Sequence, residues 1–414
     1  VSKANEVIEN IDAGEFSDVD GLIQSSIEQD DDQTQFSLAE TLLSRGLSVQ
    51  ARVVYEALLV HYPDEGQILS RLAEIAVSDG DSDKALDYIT KIEPDDDSYA
   101  ESLLVSADIY QSQGLYEVSE QKLLTGIRTF QDEEVFKFAL AELYFDENKF
   151  DKALTYYNIL LDAGIDNYSG ISIDLRKASS LAGAGEYEEA IAEFEQLNAI
   201  ELNEDAQYQL GFLYNQVKDY NKSVKVLEQL LDVNHDYPTA YSILADDFLN
   251  LKKNDDAFKY AQLGLNLNEL DENLYMIAFE AGTADNLDEA LALMSTGIKK
   301  VENPLPLIVK LSDFYITRGR FKNNLDLLDG MDLSNNPKLT WNLAKSYYET
   351  DNQKLAQDNI LLVFDDFKDN LDYLSDVIEI LRSSGNKEVL KVALQMYLKL
   401  DPDDIDMQEL LEQI

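Results

Sequence analysis

The 414-residue chain carries few of the side chains from which active sites are built. It has two histidines, His61 and His235, and no cysteine, which excludes disulfides and thiolate chemistry. Each histidine stands close to a tyrosine (Tyr62, Tyr237) where one apolar segment gives way to the next, and nothing pairs it with a nucleophile. Asp79-Gly80-Asp81-Ser82-Asp83 has the odd-spaced carboxylates of a calcium loop. Lys84 occupies the slot that requires glycine and Thr90 the slot that requires a bidentate glutamate, so the match fails. Gly183-Ala184-Gly185 follows a helical pattern instead of a strand and lacks the third glycine of a dinucleotide-binding turn, and no phosphate-binding G-x-x-x-x-G-K-[ST] occurs. No catalytic residue, metal site or cofactor is expected, and the chain reads as a non-enzyme.

What the chain has in abundance is carboxylate: 81 acidic residues against 33 basic ones, a net charge of −48. Binding to a phosphate backbone needs clustered lysine and arginine, so nucleic acid is not an expected partner, and an anionic membrane surface is disfavoured for the same reason. Much of the acidity has a structural use. Asp30–Asp32 and Asp95–Asp97 fall at helix starts, where carboxylates meet the positive end of the helix dipole. There is no uninterrupted run of 18 apolar residues and no basic segment leading into an apolar one. The expected location is cytoplasmic.

The elements that must position these carboxylates repeat at a fixed interval. Ala39, Ala73, Ala107 and Ala141 follow one another at steps of 34. Seven residues after each comes a chain-reversing residue, Gly46, Gly80, Gly114 and Asn148; five further on comes a second small residue, Ala51, Ala85, Ser119 and Ala153. Ala178, Gly211, Ala245, Ala278, Ser312, Ala344 and Ile378 continue the series at steps of 32 to 37, and Val7 precedes it. Twelve such units nearly fill the chain, and a period of this length means a repeat array. Within a unit, apolar residues such as Val135, Phe138, Leu140, Leu143 and Tyr144, then Ala153, Leu154, Tyr157 and Leu160, have helical spacing. Each unit is therefore two amphipathic helices around a turn. Pro63, Pro94, Pro238, Pro304, Pro337 and Pro402 fall near unit boundaries, where proline interrupts no helix.

Leu38-Ala39, Gly46, Ala51, Tyr55 and Pro63, and again Leu210-Gly211 with Tyr214, resemble the signature of the tetratricopeptide repeat. The resemblance covers the full chain, and its acidic, Cys-free composition is similar to that of cytoplasmic tetratricopeptide arrays of Gram-positive bacteria. It implies an all-α fold: a right-handed superhelical solenoid of about twelve helix–turn–helix units. Asn324 in place of the second-helix alanine and Lys177 in place of leucine imply irregular units there. The step of 37 around Gly164 and Gly170 implies a lengthened loop and a boundary. Residues 1–170 would hold about five units, and residues 171–414 about seven, continuous with the first and ending in a capping segment.

In this family the first helices line the concave surface. The resemblance thus places the residue after each small one on that surface, with those four before and three after it on the same face. That column contains Glu40, Glu74, Asp108 and Glu142, bordered by Phe36, Phe138 and Phe145. Further along the chain the lining changes to Tyr208, Phe212, Asn215, Tyr275 and Phe279. A carboxylate row with apolar borders suits a basic, partly apolar peptide, and aromatic and amide surfaces supply adaptable contacts. The expected function is a scaffold binding a protein or peptide partner through this groove. Alternatives are a bacterial peptide-sensing regulator and a self-assembling array joined through Ile405, Leu410, Leu411 and Ile414. The regulator fits less well, since repeat residues begin by Val7 and leave no room for a preceding effector domain.

Overall fold

The chain-reversing positions of the 34-residue pattern are where the helices end. Gly46, Gly80 and Gly114 take φ of 79°, 78° and 74°, and Asn148 takes 59°, the left-handed region that costs an L-residue with a Cβ. At the first of these the Leu47 N–H donates to the Leu42 carbonyl at 2.9 Å and the Gly46 N–H to the Leu43 carbonyl at 3.0 Å, closing the helix end. Gly185, Lys218, Lys252, Gly319 and Asp351 occupy the same place in later repeats and also have positive φ.

The structure, a computed structural model, describes residues 1–197 and 200–414. Among them are 26 helices and one short hairpin. Two compact units are resolved, Val1–Ala206 and Gln207–Ile414. In the first unit the helices pair as α1 (Lys3–Asp12) with α2 (Val19–Gln29), α3 (Asp32–Ser44) with α4 (Ser48–His61), and α5 (Gly66–Ser78) with α6 (Ser82–Ile89). Then come α7 (Tyr99–Ser112) with α8 (Tyr116–Thr129), α9 (Glu134–Asp146) with α10 (Phe150–Asp162), and α11 (Ile173–Gly183) with α12 (Tyr187–Gln196). The second unit opens within α13 (Glu204–Gln216), which pairs with α14 (Tyr220–Val233). It continues with α15 (Pro238–Asn250) and α16 (Asn254–Leu267), α17 (Glu272–Gly282) and α18 (Leu287–Lys300), and α19 (Leu305–Thr317) and α20 (Phe321–Leu328). The last pairs are α21 (Pro337–Glu349) with α22 (Gln353–Leu362), then, after the single turn α23 (Phe364–Phe367), α24 (Leu371–Leu381) with α25 (Lys387–Leu400), closed by α26 (Ile405–Glu412). The fold is all-α, and the twelve expected helix–turn–helix units are all present.

The small residues are where two helices of a unit approach most closely. Ala39, Ala73, Ala107, Ala141, Ala178, Ala245, Ala278 and Ala344 are all buried, as are Ala51, Ala85 and Ala153 on the second helices. A Cβ on Gly211 would come within 2.4 Å of Leu227. Where serine replaces the second-helix alanine, its hydroxyl donates to the backbone of the facing small residue: Ser119 to Ala107 at 2.7 Å, Ser223 to Gly211 at 2.8 Å. The buried hydroxyl is thereby satisfied at the cost of no extra volume. Asn324, also fully buried, donates to the Ser346 hydroxyl at 2.8 Å, and its helix α20 has only 8 residues against 14 in α16 and α18. Lys177 leaves the core to pair with Glu193 at 2.8 Å.

The purely helical reading misses an antiparallel pair, β1 (Asn167–Tyr168) with β2 (Ile171–Ser172), joined through Ser169 and Gly170 at φ of 49° and 82°. Two successive residues at positive φ make the tight turn whose twist matches paired strands, so the three additional residues form a hairpin between α10 and α11. Residues 170 and 171 both lie in the unit Val1–Ala206. Helix α11 packs on α10 across the hairpin, and Arg176 of α11 pairs with Glu142 of α9, so the stacking is not interrupted there.

Candidate functional site

Helices α3, α5, α7 and α9 each carry one carboxylate immediately after the buried alanine: Glu40, Glu74, Asp108 and Glu142. Their surroundings differ. Glu40 accepts from the Tyr55 hydroxyl of α4 and from Arg71 of α5, Nε at 2.9 Å and Nη2 at 3.2 Å. Glu142 has the same partners one step later: the Tyr157 hydroxyl of α10, with Arg176 of α11 at 3.0 Å through both Nε and Nη2. Burial, then the carboxylate it donates to, pushes the phenol pKa of Tyr55 and of Tyr157 above the ordinary range. Burial works against the charge on Arg71, and the bonds to Glu40 and Glu74 more than restore it. These are bidentate, charge-assisted clamps that join one repeat to the next.

In the two repeats between them the clamp is missing. Ile89 and Leu123 stand where the tyrosines would be, and Val105 and Ala139 where the arginines would be. Glu74 keeps one hydrogen bond, from Nη1 of Arg71 on its own helix at 3.1 Å, and its side chain is 54% exposed against 33% for Glu40 and 21% for Glu142. Asp108 is exposed, and its carboxylate has no partner among the described residues. Between α5 and α7 lies a groove of about 440 Å³, lined by Glu74, Glu101 and Asp108 around Val77, Leu104 and Val105.

The apolar borders of the row are also already engaged. Phe138 is buried under Tyr168 of the hairpin, ring centroids 4.6 Å apart. Phe145 is held edge-on by Phe150 and covered by the Arg176 guanidinium at 5.0 Å. Phe36 packs edge-on against Tyr55. The face of α9 expected to receive a ligand is thus covered by side chains of this same chain, Phe150, Tyr168 and Arg176.

In the second unit Phe212 is exposed, Tyr208 is half-buried against Tyr237, and Asn215 is half-buried. Tyr275 and Phe279 are 2% exposed and leave the set of accessible residues. Tyr275 donates to the Glu269 carbonyl at 2.9 Å and Phe279 packs edge-on against Phe314. Their helix α17 is apolar on more than one face, and the position shared with Glu40 turns inward there. The Asn215 amide donates to Asp246 at 2.9 Å and Asp247 at 2.8 Å. Asp247 is fully buried and also touches the Ser223 hydroxyl at 2.6 Å. Burial pushes its carboxyl up to about 7, against the opposing hydrogen bonds of Ser223 and Asn215.

Several of these residues escape the column reading. The clamp tyrosines and arginines lie on other helices, although Glu40 to Tyr55 and Glu142 to Tyr157 are both 15 residues apart and share one repeat position. Glu101 and Asp247 carry no periodic signal. In the terminal segment Leu410 and Leu411 pack with Met407 against the α24–α25 core, leaving Ile405 as its most exposed apolar residue. No helix of the described residues is long and apolar enough to cross a membrane.

Four family models match the chain: tetratricopeptide repeat over residues 36–100 and 204–237, YpiA-like tetratricopeptide repeats over 111–165, and YpiA-like C-terminal tetratricopeptide repeats over 337–404. The TPR repeat-containing protein YpiA of Bacillus subtilis (strain 168) is 27% identical over 421 residues, 99% of this chain and 97% of that protein. Among solved structures, Naa15/Naa10 bound to HypK-THB aligns at 14% identity and a TM-score of 0.40, covering 91% of this chain and 64% of that one. Pseudomonas aeruginosa pilF aligns at 20% identity and a TM-score of 0.40, over 49% of this chain and 91% of that one. Repeats of this kind are protein-interaction scaffolds. With four tetratricopeptide-repeat models matching more than half of its residues, and twelve helix pairs closing on the same small residues, the chain belongs to the tetratricopeptide-repeat proteins.

Proposed function

We propose that the chain is a non-enzymatic scaffold that takes a basic, partly apolar segment of a protein partner on the first-helix face of its first unit, in the groove between α5 and α7. The observation that carries this is the contrast along the carboxylate row. Glu40 and Glu142 are saturated by the chain's own tyrosine and arginine, whereas Glu74 and Asp108 are exposed beside Val77 and Leu104. Carboxylates beside apolar side chains in a molecule of net charge −48 favour a cationic ligand and repel an anionic one.

Fluorescence anisotropy with the labelled peptides Lys-Leu-Lys-Leu-Lys and Glu-Leu-Glu-Leu-Glu tests the proposal. The basic peptide should bind, weaken as salt is raised, and lose most of its affinity for the Glu74→Gln/Asp108→Asn variant. Equal binding of both peptides, or an unchanged affinity in the variant, rules this groove out.

A further inference from the structure

One position decides whether each carboxylate of the row is already occupied: the residue two before the buried small residue of the next first helix. Arg71 stands there before Ala73, and Arg176 before Ala178, and each binds the carboxylate of the preceding repeat through Nε and Nη2 together. In the same place Val105 precedes Ala107. Val105 is thus the register partner of Glu74, and it leaves the guanidinium slot empty. The space beside it is the groove of about 440 Å³, with Glu74 on α5 facing Glu101, Leu104 and Asp108 on α7. The Ser70 hydroxyl on its wall is buried and has no hydrogen-bond partner among the described residues.

We infer that this groove receives an arginine side chain of a partner protein, its guanidinium taking the place that Arg71 and Arg176 fill in the flanking repeats. This rests on the proposed scaffold role and narrows it from a basic segment to a guanidinium. Three features of the chain support that choice of cation. The two intramolecular clamps are bidentate, and a planar fork of N–H donors matches both oxygens of a carboxylate where an ammonium offers a point charge. Glu74 and Asp108 lie on adjacent helices, so the donors left over after one carboxylate is bound face the other. Leu104 and Val105 supply an apolar floor for the methylene stem.

The test uses the full chain and two labelled, amidated peptides, Gly-Leu-Arg-Leu-Gly and Gly-Leu-Lys-Leu-Gly, titrated by fluorescence anisotropy. The arginine peptide should bind about fivefold or more tightly than the lysine peptide. Val105→Arg, which installs the chain's own clamp on Glu74, should lower the arginine peptide's affinity by roughly tenfold while the helical circular dichroism is unchanged. Equal affinities for the two peptides overturn the guanidinium assignment and leave the basic-segment reading standing. Unchanged binding by a folded Val105→Arg overturns the slot. Should Val105→Arg not fold, Glu74→Gln at its exposed position carries the decision, and an affinity equal to wild type overturns the inference. Failure of both peptides to bind wild type also overturns it, while the salt-dependent Lys-Leu-Lys-Leu-Lys titration reports separately on the scaffold reading.

Discussion

Ser223 has one hydroxyl proton and two acceptors within reach, the Gly211 carbonyl at 2.8 Å and Asp247 Oδ2 at 2.6 Å. If Asp247 is ionised, one of those acceptors goes unserved in a fully buried place. If it is protonated, Asp247 donates to Ser223, Ser223 donates to Gly211, and Asn215 donates to the other carboxyl oxygen, so every group is satisfied. The carboxyl's rise from 3.8 to about 7, caused by burial, agrees with this proton count. A carboxyl whose pKa is higher in the fold holds its proton more tightly when folded. Its stabilisation is complete below about pH 4 and is lost as pH rises through 7. Asp247→Asn keeps the hydrogen-bond pattern of the protonated acid and removes the titration. By urea denaturation at pH 8 it should be more stable than wild type by on the order of 2 kcal/mol, with the difference gone near pH 4. A gap independent of pH would show that Asp247 ionises as an ordinary aspartate does. Tyr157→Phe removes only the hydroxyl that Glu142 accepts and should cost about 1 kcal/mol in the same assay. A larger loss would mean that the Glu142–Arg176 pair depends on the tyrosine for its geometry.

At the scale of the helix and its turn, the repeat pattern reads backbone conformation directly. The position seven residues after the small residue has positive φ in most repeats, whether it holds Gly80, Asn148 or Lys252, though not at Asp285 or Gly385. The helix ends there because of the stacking geometry, and the sequence follows with glycine where it can. Lys252 adopts φ of 62° with a Cβ in place, so Lys252→Gly should raise stability by about 0.5–1 kcal/mol, and Gly114→Ala should lower it by about 1 kcal/mol. Thermal melts of the two variants check both signs. If Lys252→Gly destabilises, the left-handed backbone at this turn is not what limits its stability. The hairpin was less legible. A step of 37 announces three extra residues, yet nothing in the 34-residue period says that Tyr168 will lie on Phe138. Tyr168→Ala should uncover Phe138 and increase binding of an apolar fluorescent dye, with the helical signal preserved.

For the molecule as a whole, a net charge of −48 is the dominant long-range term. Like charges at this density oppose the compact state, and salt screens them over a Debye length of about 10 Å at 0.1 M. The midpoint of thermal unfolding should therefore rise by roughly 3–5 °C between 20 mM and 500 mM sodium chloride, by the usual conversion of one to two kcal/mol in a protein of this size. A constant or falling midpoint would mean that the ion pairs across repeats, Arg71–Glu40 and Arg176–Glu142 foremost, contribute as much as the general repulsion removes.

The sequence by itself determined the period, the number of helix pairs, the residues at their contacts and the turn positions. These depend on local rules: small residues where helices touch, apolar spacing of 3.6, and a residue tolerant of positive φ at each helix end. It also determined that Glu40, Glu74, Asp108 and Glu142 occupy one repeat position. Only the tertiary structure decided that these four carboxylates are not alike. Their partners Arg71 and Arg176 stand 31 and 34 residues further on, and reach them only once one repeat has stacked on the next. Tyr275 and Phe279 share the repeat position of accessible residues, yet are closed over by contacts from neighbouring helices. Periodicity assigns a side chain to a face of its own helix. What lies against that face is set by side chains from the next repeat, and so by packing.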